Sequence, residues 1–485
     1  MKDLNGNEGH RLNVGHWHFC ALAAALLTTL VSLPVHGAVI VTNIANFGMA
    51  AAPSGDMIQA TDGYWYGPQL IAVGVHGGGG IFRMSASGSY TEYPADATND
   101  APDFLIEGKD GNFYGLSSYG VNPYPNHDLA NYGSVFQFLT NGTFTALATF
   151  AGTNGSTPVS LVQTDDGNFY GVTMYGGVGF TSNSLSGYGT IFRIDTNGTF
   201  TTLYYFTGST NDGAYPYRLA AGSDGNVYGA TEAGGADTNA TLTSQTGIYP
   251  SYGFGTAFVV HPDGTVALKA SFTLSNNVGA EVTYLARGSD GNVYGTTGSG
   301  GLYGKGTIFE FCTNGTLSPV AAFDGTNGAF PQSVLQASDG GFYGVSVGNG
   351  ETPYPNVYRW SPAGGIVPLY SFTFGTPWGP YPLLGLAQGT NGLFYGQGAG
   401  QNQGFIFQIS LPVAPVVQPA ISAGALNLTW NAVPGQTYQV QYTSDATQTN
   451  WTNFGSPITA TNGTLSLPDS TGTAQQRFYR VVIAP

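Results

Sequence analysis

Six acidic side chains stand apart from the regular pattern of this 485-residue sequence: Asp128, Asp212, Glu232, Glu281, Asp324 and Glu351. Carboxylates do general acid and base work when a fold brings two of them together, as glycosidic-bond cleavage requires. These six fall in different segments between expected strands, so spacing alone pairs none of them, and each taken singly reads first as a solvated loop charge. Around them lie rings set among proline, asparagine and glycine: Tyr124, Tyr217, Tyr249, Tyr252, Tyr354, Trp378 and Tyr381. Such rings stack on sugar faces while neighbouring polar groups bond hydroxyls. Their bland alternative is packing of loops onto a scaffold. His76 and His127 lack the spacing of a metal motif, so neither a metal nor a cofactor is expected. No nucleophile elbow, Walker loop or dinucleotide fingerprint occurs.

Composition limits what can position these residues. Charged residues make up 8% and the net charge is −15, against about 25% charged residues in ordinary soluble chains. Glycine is 74 of 485 and aromatics are 13%. Disordered chains are poor in aromatics and rich in charge. Helical proteins avoid glycine. An acidic chain without a basic run is a poor ligand for nucleic acid or anionic membranes. An all-β, turn-rich protein remains.

The first residues read as an address. Lys2 and Arg11 precede an apolar stretch from Phe19 to Val35, followed by Gly37 and Ala38. This is the pattern of a cleaved secretory signal over 1–37. The expectation is a secreted or cell-surface protein with no membrane span after cleavage. Cys312 is then the single remaining cysteine, so no intrachain disulfide staples the fold. It reads as a small hydrophobe on a strand.

One phrase recurs seven times: Asp-Gly-x-[Phe/Val/Trp]-Tyr-Gly, with Asn for Asp in the last copy. Its tyrosines are Tyr66, Tyr114, Tyr170, Tyr228, Tyr294, Tyr343 and Tyr395. Intervals of 48 to 66 residues suit four short strands per unit, the size of a propeller blade. In the third unit the strands are expected near 159–164, 168–174, 190–195 and 199–206. Asp-Gly and Asn-Gly provide the positive φ of two-residue hairpins. Adjacent aromatics such as Phe169 and Tyr170 point to opposite faces of one strand, so both faces must be covered. The segment Val39–Phe47 aligns with a fourth strand, and the last unit lacks one. A seven-bladed β-propeller over 38–411, closed by its N-terminal strand, is expected. Its long b–c and d–a loops then share one face, where any site belongs.

These phrases resemble the GloVer tandem-repeat family of bacterial secreted proteins. The resemblance is best at Asp290–Thr297 with Gly300-Gly301 and Gly306–Phe309, and at Asp224–Thr231 with Gly234-Gly235. Tyr64, Leu393 and Asn391 depart from it. It implies export and a propeller-like array, and no catalytic residues.

Pro412, Pro415 and Pro419 mark an expected linker over 412–419. Alternation in Leu426–Trp430, Tyr438–Tyr442 and Phe478–Ile483 argues a small β-sandwich over 420–485. It resembles a fibronectin type III module, with Trp430 on an early strand, Tyr479 near the last, and a final edge strand missing. The whole is expected to be an exported, non-catalytic repeat protein binding an extracellular ligand, a polysaccharide or a cell-surface component. The alternatives are a polysaccharide-degrading hydrolase or lyase using the loop carboxylates, and a purely structural surface protein.

Overall fold

Each Asp-Gly pair reverses the chain in a three-residue loop. Ala60 N–H donates to the Tyr64 carbonyl (2.8 Å) and Gly63 N–H to the Ala60 carbonyl (2.9 Å). Gly63 has φ 83°. This is a type I turn followed by a bulge glycine, not the two-residue hairpin expected from the dipeptide. The reason is the aspartate: its Oδ1 accepts the N–H two residues on, from Tyr64 to Asp62 (2.9 Å) and from Asn112 to Asp110 (3.1 Å). That bond holds the aspartate itself out of the left-handed region.

The computed structural model describes residues 39–483 apart from 48–50, 72–77, 96–100, 119–131, 182–185, 210, 237–252, 274, 349–354, 373–380, 383–384, 400–403, 412–416, 423–424, 433–436, 446–449, 462–463 and 470–476. The expected signal segment lies outside them. All regular structure described is β. Val39–Ser410 form one compact unit and the residues from Leu411 belong to another.

The larger unit contains seven consecutive antiparallel sheets in which successive strands a, b, c and d pair in order. The third is the most regular, with Ser156–Gln163, Phe169–Tyr175, Thr190–Ile194 and Phe200–Tyr205. Strand a is split into two pieces in the first, sixth and seventh sheets. The seventh has Tyr381–Pro382 with Ala387–Gln388, then Phe394–Ala399 and Gly404–Ser410. Its fourth strand is Ile40–Asn46, antiparallel to Gly404–Ser410 from Ile40↔Ser410 to Asn46↔Phe405. Cys312 lies one residue past Thr307–Phe311, in the turn rather than on the strand, and is half-buried. Burial pushes its thiol up, which keeps it unreactive.

Neighbouring sheets meet through the repeated aromatic pair. Tyr66 lies on Phe113, Tyr114 on Phe169, Tyr294 on Phe342 and Tyr343 on Phe394, with ring centroids 4.2–4.5 Å apart. Tyr170 and Tyr228 pack with Val227 and Val293 of the next sheet. Tyr395 of the seventh sheet lies on Trp65 of the first at 4.3 Å. Each such pair adds roughly 0.5–1.5 kcal/mol beyond its buried area. The phenol hydroxyls donate back to the turn aspartates: Tyr66 to Asp62 (2.8 Å), Tyr228 to Asp224 (2.7 Å) and Tyr343 to Asp339 (2.7 Å). The burial of a polar tip is thereby satisfied.

A second joint lies beside the turns. In the first, second, fifth and sixth sheets the residue before the aspartate donates its N–H to a glutamine or glutamate of the next sheet: Thr61 to Glu107 (2.9 Å), Lys109 to Gln163 (2.8 Å), Ser289 to Gln336 (2.6 Å) and Ser338 to Gln388 (2.8 Å). Thr390 of the seventh sheet donates to Gln59 of the first (2.7 Å). At the other strand ends, Pro158, Pro216 and Pro331 press on Gly133, Gly189 and Gly306 of the preceding sheet. A Cβ there would sit 2.4, 2.5 and 2.7 Å from the proline ring.

In the smaller unit the strand Val417–Ser422 opens one three-stranded sheet, and its partners are Ala425–Asn431 and Thr464–Asp469. Pro419 is therefore a strand residue paired with Leu428, not part of the expected linker. Its N–H-less position is tolerated because this strand is at the sheet edge. The second sheet orders Thr452–Thr459, Thr437–Thr443 and Phe478–Ile483. Trp430, Tyr438, Val440 and Val481 are buried together.

Deleting residues 38–47 leaves Gly404–Ser410 as an open edge. The truncated chain should aggregate or lose cooperative unfolding, measured by light scattering and calorimetry.

Candidate functional site

The residue six positions before each turn aspartate, or before Asn391 in the last copy, lies on strand a or, where strand a is split, between its two pieces. In order these are Asp56, Phe104, Ser160, Arg218, Tyr284, Ser333 and Gly385. Hydrogen bonds at this level tie adjacent sheets together. Gly385 N–H of the seventh sheet donates to Asp56 Oδ1 at 2.9 Å. Leu219 N–H donates to Ser160 Oγ at 3.1 Å, and Arg218 Nε to the Thr283 carbonyl at 3.2 Å. The Arg218 guanidinium lies 4.7 Å from the Tyr217 ring centre and 5.4 Å from that of Tyr284.

Charge converges here from across the unit. Burial works against the Arg218 cation, but Tyr217, Asp56, Tyr284 and Glu232 outweigh it and hold its pKa above the usual range. The Tyr284 phenol is raised first by the charge of Asp56, then by burial, with Arg218 opposing. Asp56, Arg218 and Tyr284 come from the first, fourth and fifth sheets, so these strands border a shared interior.

Two of the carboxylates singled out by sequence join this cluster. Glu232 lies on Val227–Gly234, near its b–c loop, and Glu281 near the start of Ala280–Arg287. Burial and then the charge of Glu281 push Glu232 up to about 7, with Arg218 pulling the other way. Glu281 has φ 60°, and the residue nine before the aspartate is left-handed in three other sheets too: Thr157, Tyr215 and Phe330. That conformation costs roughly 1–2 kcal/mol per non-glycine residue. It is held at Thr157, Tyr215 and Phe330 by N–H bonds of 2.8, 2.9 and 2.8 Å to carbonyls of the preceding sheet. Asp103, immediately before the strand Phe104–Glu107, is pushed up to about 7 by burial, against hydrogen bonds from Ser118 and the charge of Arg218. A carboxyl half-protonated at neutral pH, a carboxylate partner and a guanidinium together can donate, accept and neutralise charge on a hydroxyl-rich ligand.

Other candidates have different roles. Asp212 is 5% exposed. It accepts from Thr207 N–H (2.8 Å), Thr207 Oγ1 (2.8 Å), Gly213 N–H (2.8 Å) and the Tyr204 hydroxyl (3.2 Å), which makes it the clasp of a d–a turn. Asp324 does the same for Thr326 and Asn327, whose N–H bonds lower its pKa. Tyr217 stands at the cluster. Tyr381 pairs with Ala399 across strands a and b. Tyr124, Asp128, Tyr249, Tyr252, Glu351, Tyr354 and Trp378 lie outside the described residues, as do His76 and His127. Among the described residues no group of acids, histidines or cysteines is arranged to hold a metal ion.

Sequence reasoning passed over Asp56, Asp103, Arg218 and Tyr284. Counting back six residues from each repeated aspartate would have aligned Asp56, Arg218 and Tyr284, whereas Asp103 stands one place outside that column. Only the fold says that this column faces inward.

Two raised carboxyl groups set a pH dependence. Asp103 and Glu232 bind protons more tightly folded than unfolded, so their contribution is present below about pH 4 and is lost as pH rises through about 7. Asp103→Asn and Glu232→Gln should each raise the melting temperature at pH 8 and change it little at pH 4. The gain should be on the order of 1–3 kcal/mol, read from denaturant titrations at both pH values.

No curated protein sequence matches the chain. Among solved structures it is similar to a catalytically inactive histidine-to-alanine variant of virginiamycin B lyase from Staphylococcus aureus with quinupristin, at 13% identity and TM-score 0.51, covering 77% of this chain and 99% of that one. A streptogramin B lyase matches at 14% identity and TM-score 0.49, covering 77% and 98%. The polysaccharide lyase Uly1 matches at 12% identity and TM-score 0.46, covering 75% and 91%. The first of these likenesses establishes a propeller-type fold and nothing about activity. The model of the Gloeobacter/Verrucomicrobia repeat matches residues 28–243 and again 238–465. The seven-fold phrase and its paired sheets are thus the mark of a family, and the chain belongs to the Gloeobacter/Verrucomicrobia repeat family.

Proposed function

We propose that this chain is an exported binding protein: a closed seven-bladed propeller over 38–411, followed by a fibronectin type III-like module. Its extracellular ligand, of the polysaccharide class, docks at the loop-side mouth of the axis, over Tyr217, Glu232, Glu281 and Arg218. The observation that carries this reading is the convergence of Asp56, Arg218, Tyr284 and Glu232 from three different sheets. Closure is supported by the seventh-to-first contacts, Tyr395 on Trp65 and Thr390 to Gln59, which repeat those between the other sheets. Pairing of Ile40–Asn46 with the seventh sheet supports it further. Rings such as Tyr124, Tyr249, Tyr354 and Trp378, named from the sequence and outside the described residues, are of the type that stacks on sugar faces. Export rests on the N-terminal address.

A second reading is favoured by one observation. Burial, and then the charge of Glu281, raise the pKa of Glu232 toward neutrality, which suits a general acid beside a second acidic side chain. That arrangement would serve a polysaccharide hydrolase or lyase.

The full chain should bind one class of polysaccharide on a glycan array and release no reducing ends from it. Arg218→Met and Glu281→Gln should weaken binding at least tenfold. No binding to any glycan would remove the first reading. Release of reducing ends that is lost in Glu232→Gln would establish the second.

A further inference from the structure

The joint between the seventh and first sheets differs chemically from the others. Three residues past the repeat tyrosine, the third, fourth and fifth sheets carry Thr173, Thr231 and Thr297. Their hydroxyls bond Thr190 (2.8 Å), Thr256 (3.1 Å) and Thr307 (2.9 Å) on strand c. In the first sheet this place holds Gln69, opposite Gly80, and the seventh has Gly398 there with Gln397 beside it. Both glutamines are fully buried, at 0% exposure.

Strand alternation turns the two amides toward each other. Trp65 faces Tyr395, so Gly67 and Gln69 share that side of an unbroken strand, Trp65–Ile71. Gly67 abuts Phe82 and Met57, which cluster with Trp65 and Tyr395. From the other sheet, Tyr395 and Gln397 share the side facing Trp65. Gln397 Nε2 reaches across to the Gly55 carbonyl of the first sheet at 3.3 Å. Among the described residues, Gln69 Oε1, Gln69 Nε2 and Gln397 Oε1 have no hydrogen-bond partner. Buried amides are costly when unpaired. A water molecule resolves this when two to four polar atoms surround it, and these three atoms include both donors and acceptors.

We propose that the joint between the first and last sheets holds an internal water site, bound by Gln69 and Gln397. The water takes the place of the threonine pairs found at this level in the third, fourth and fifth sheets. It would bridge the two chain-terminal sheets through side chains, independently of the strand pairing at Ile40–Asn46.

Oxygen-17 magnetic relaxation dispersion on the full chain counts long-lived internal waters. Gln69→Leu combined with Gln397→Leu should remove the signal of at least one. An unchanged amplitude in the folded double variant would overturn the proposal. Should that variant fail to fold, a high-resolution crystal structure of the unaltered chain decides. Density within about 3 Å of the Gln69 amide supports the site, and a dry joint overturns it.

Discussion

A tyrosine cannot be buried on one face of a strand while its neighbour is buried on the other unless both faces are covered. That constraint governs this molecule. The repeat phrase places an apolar residue and a tyrosine side by side on strand b, and each sheet can satisfy only one of them with its own surroundings. The next sheet satisfies the other, as Phe113 does for Tyr66 and Trp65 does for Tyr395. Burial then passes from sheet to sheet without a disulfide. The turn aspartate makes this workable by accepting the phenol proton, as Asp62 does from Tyr66. A short polar loop and a large buried ring are therefore one unit rather than two features.

Satisfying the joints by repetition leaves other positions unconstrained. Phe104, Ser160, Arg218 and Gly385 hold the same place in the second, third, fourth and seventh sheets and share no chemistry. A column that varies this freely while its neighbours repeat is where a common scaffold acquires individual character. In this chain the column gathers one guanidinium, one carboxylate and one phenol from separate sheets. The same scaffold turns Asp212 and Asp324 into turn clasps, although by residue type they were equal candidates with Glu232. Their hydrogen-bond capacity is already used by backbone N–H groups, whereas Glu232 is shaped by burial and by Glu281.

Much of the architecture was legible in the residues. Strand order within a unit, the aromatic pair facing both ways, and the supply of a fourth strand by Val39–Phe47 all follow from local patterning with a period of two. The loop geometry is not legible in the dipeptide: Asp-Gly suggests two residues of positive φ, whereas the aspartate side chain caps the loop and leaves that conformation to the glycine alone. The linker was misjudged at Pro419, since proline at a sheet edge loses no ladder bond.

What the chain by itself determined is everything that depends on neighbours a few residues apart: turns, strand faces and the seven-fold count of the phrase. Only the tertiary structure decided that Asp56, Arg218 and Tyr284, far apart in sequence, act on one another, and that Gln69 and Gln397 enter the same joint. Contacts of that kind depend on how whole sheets are placed, and no local pattern of residues encodes the distance between two strands belonging to different sheets.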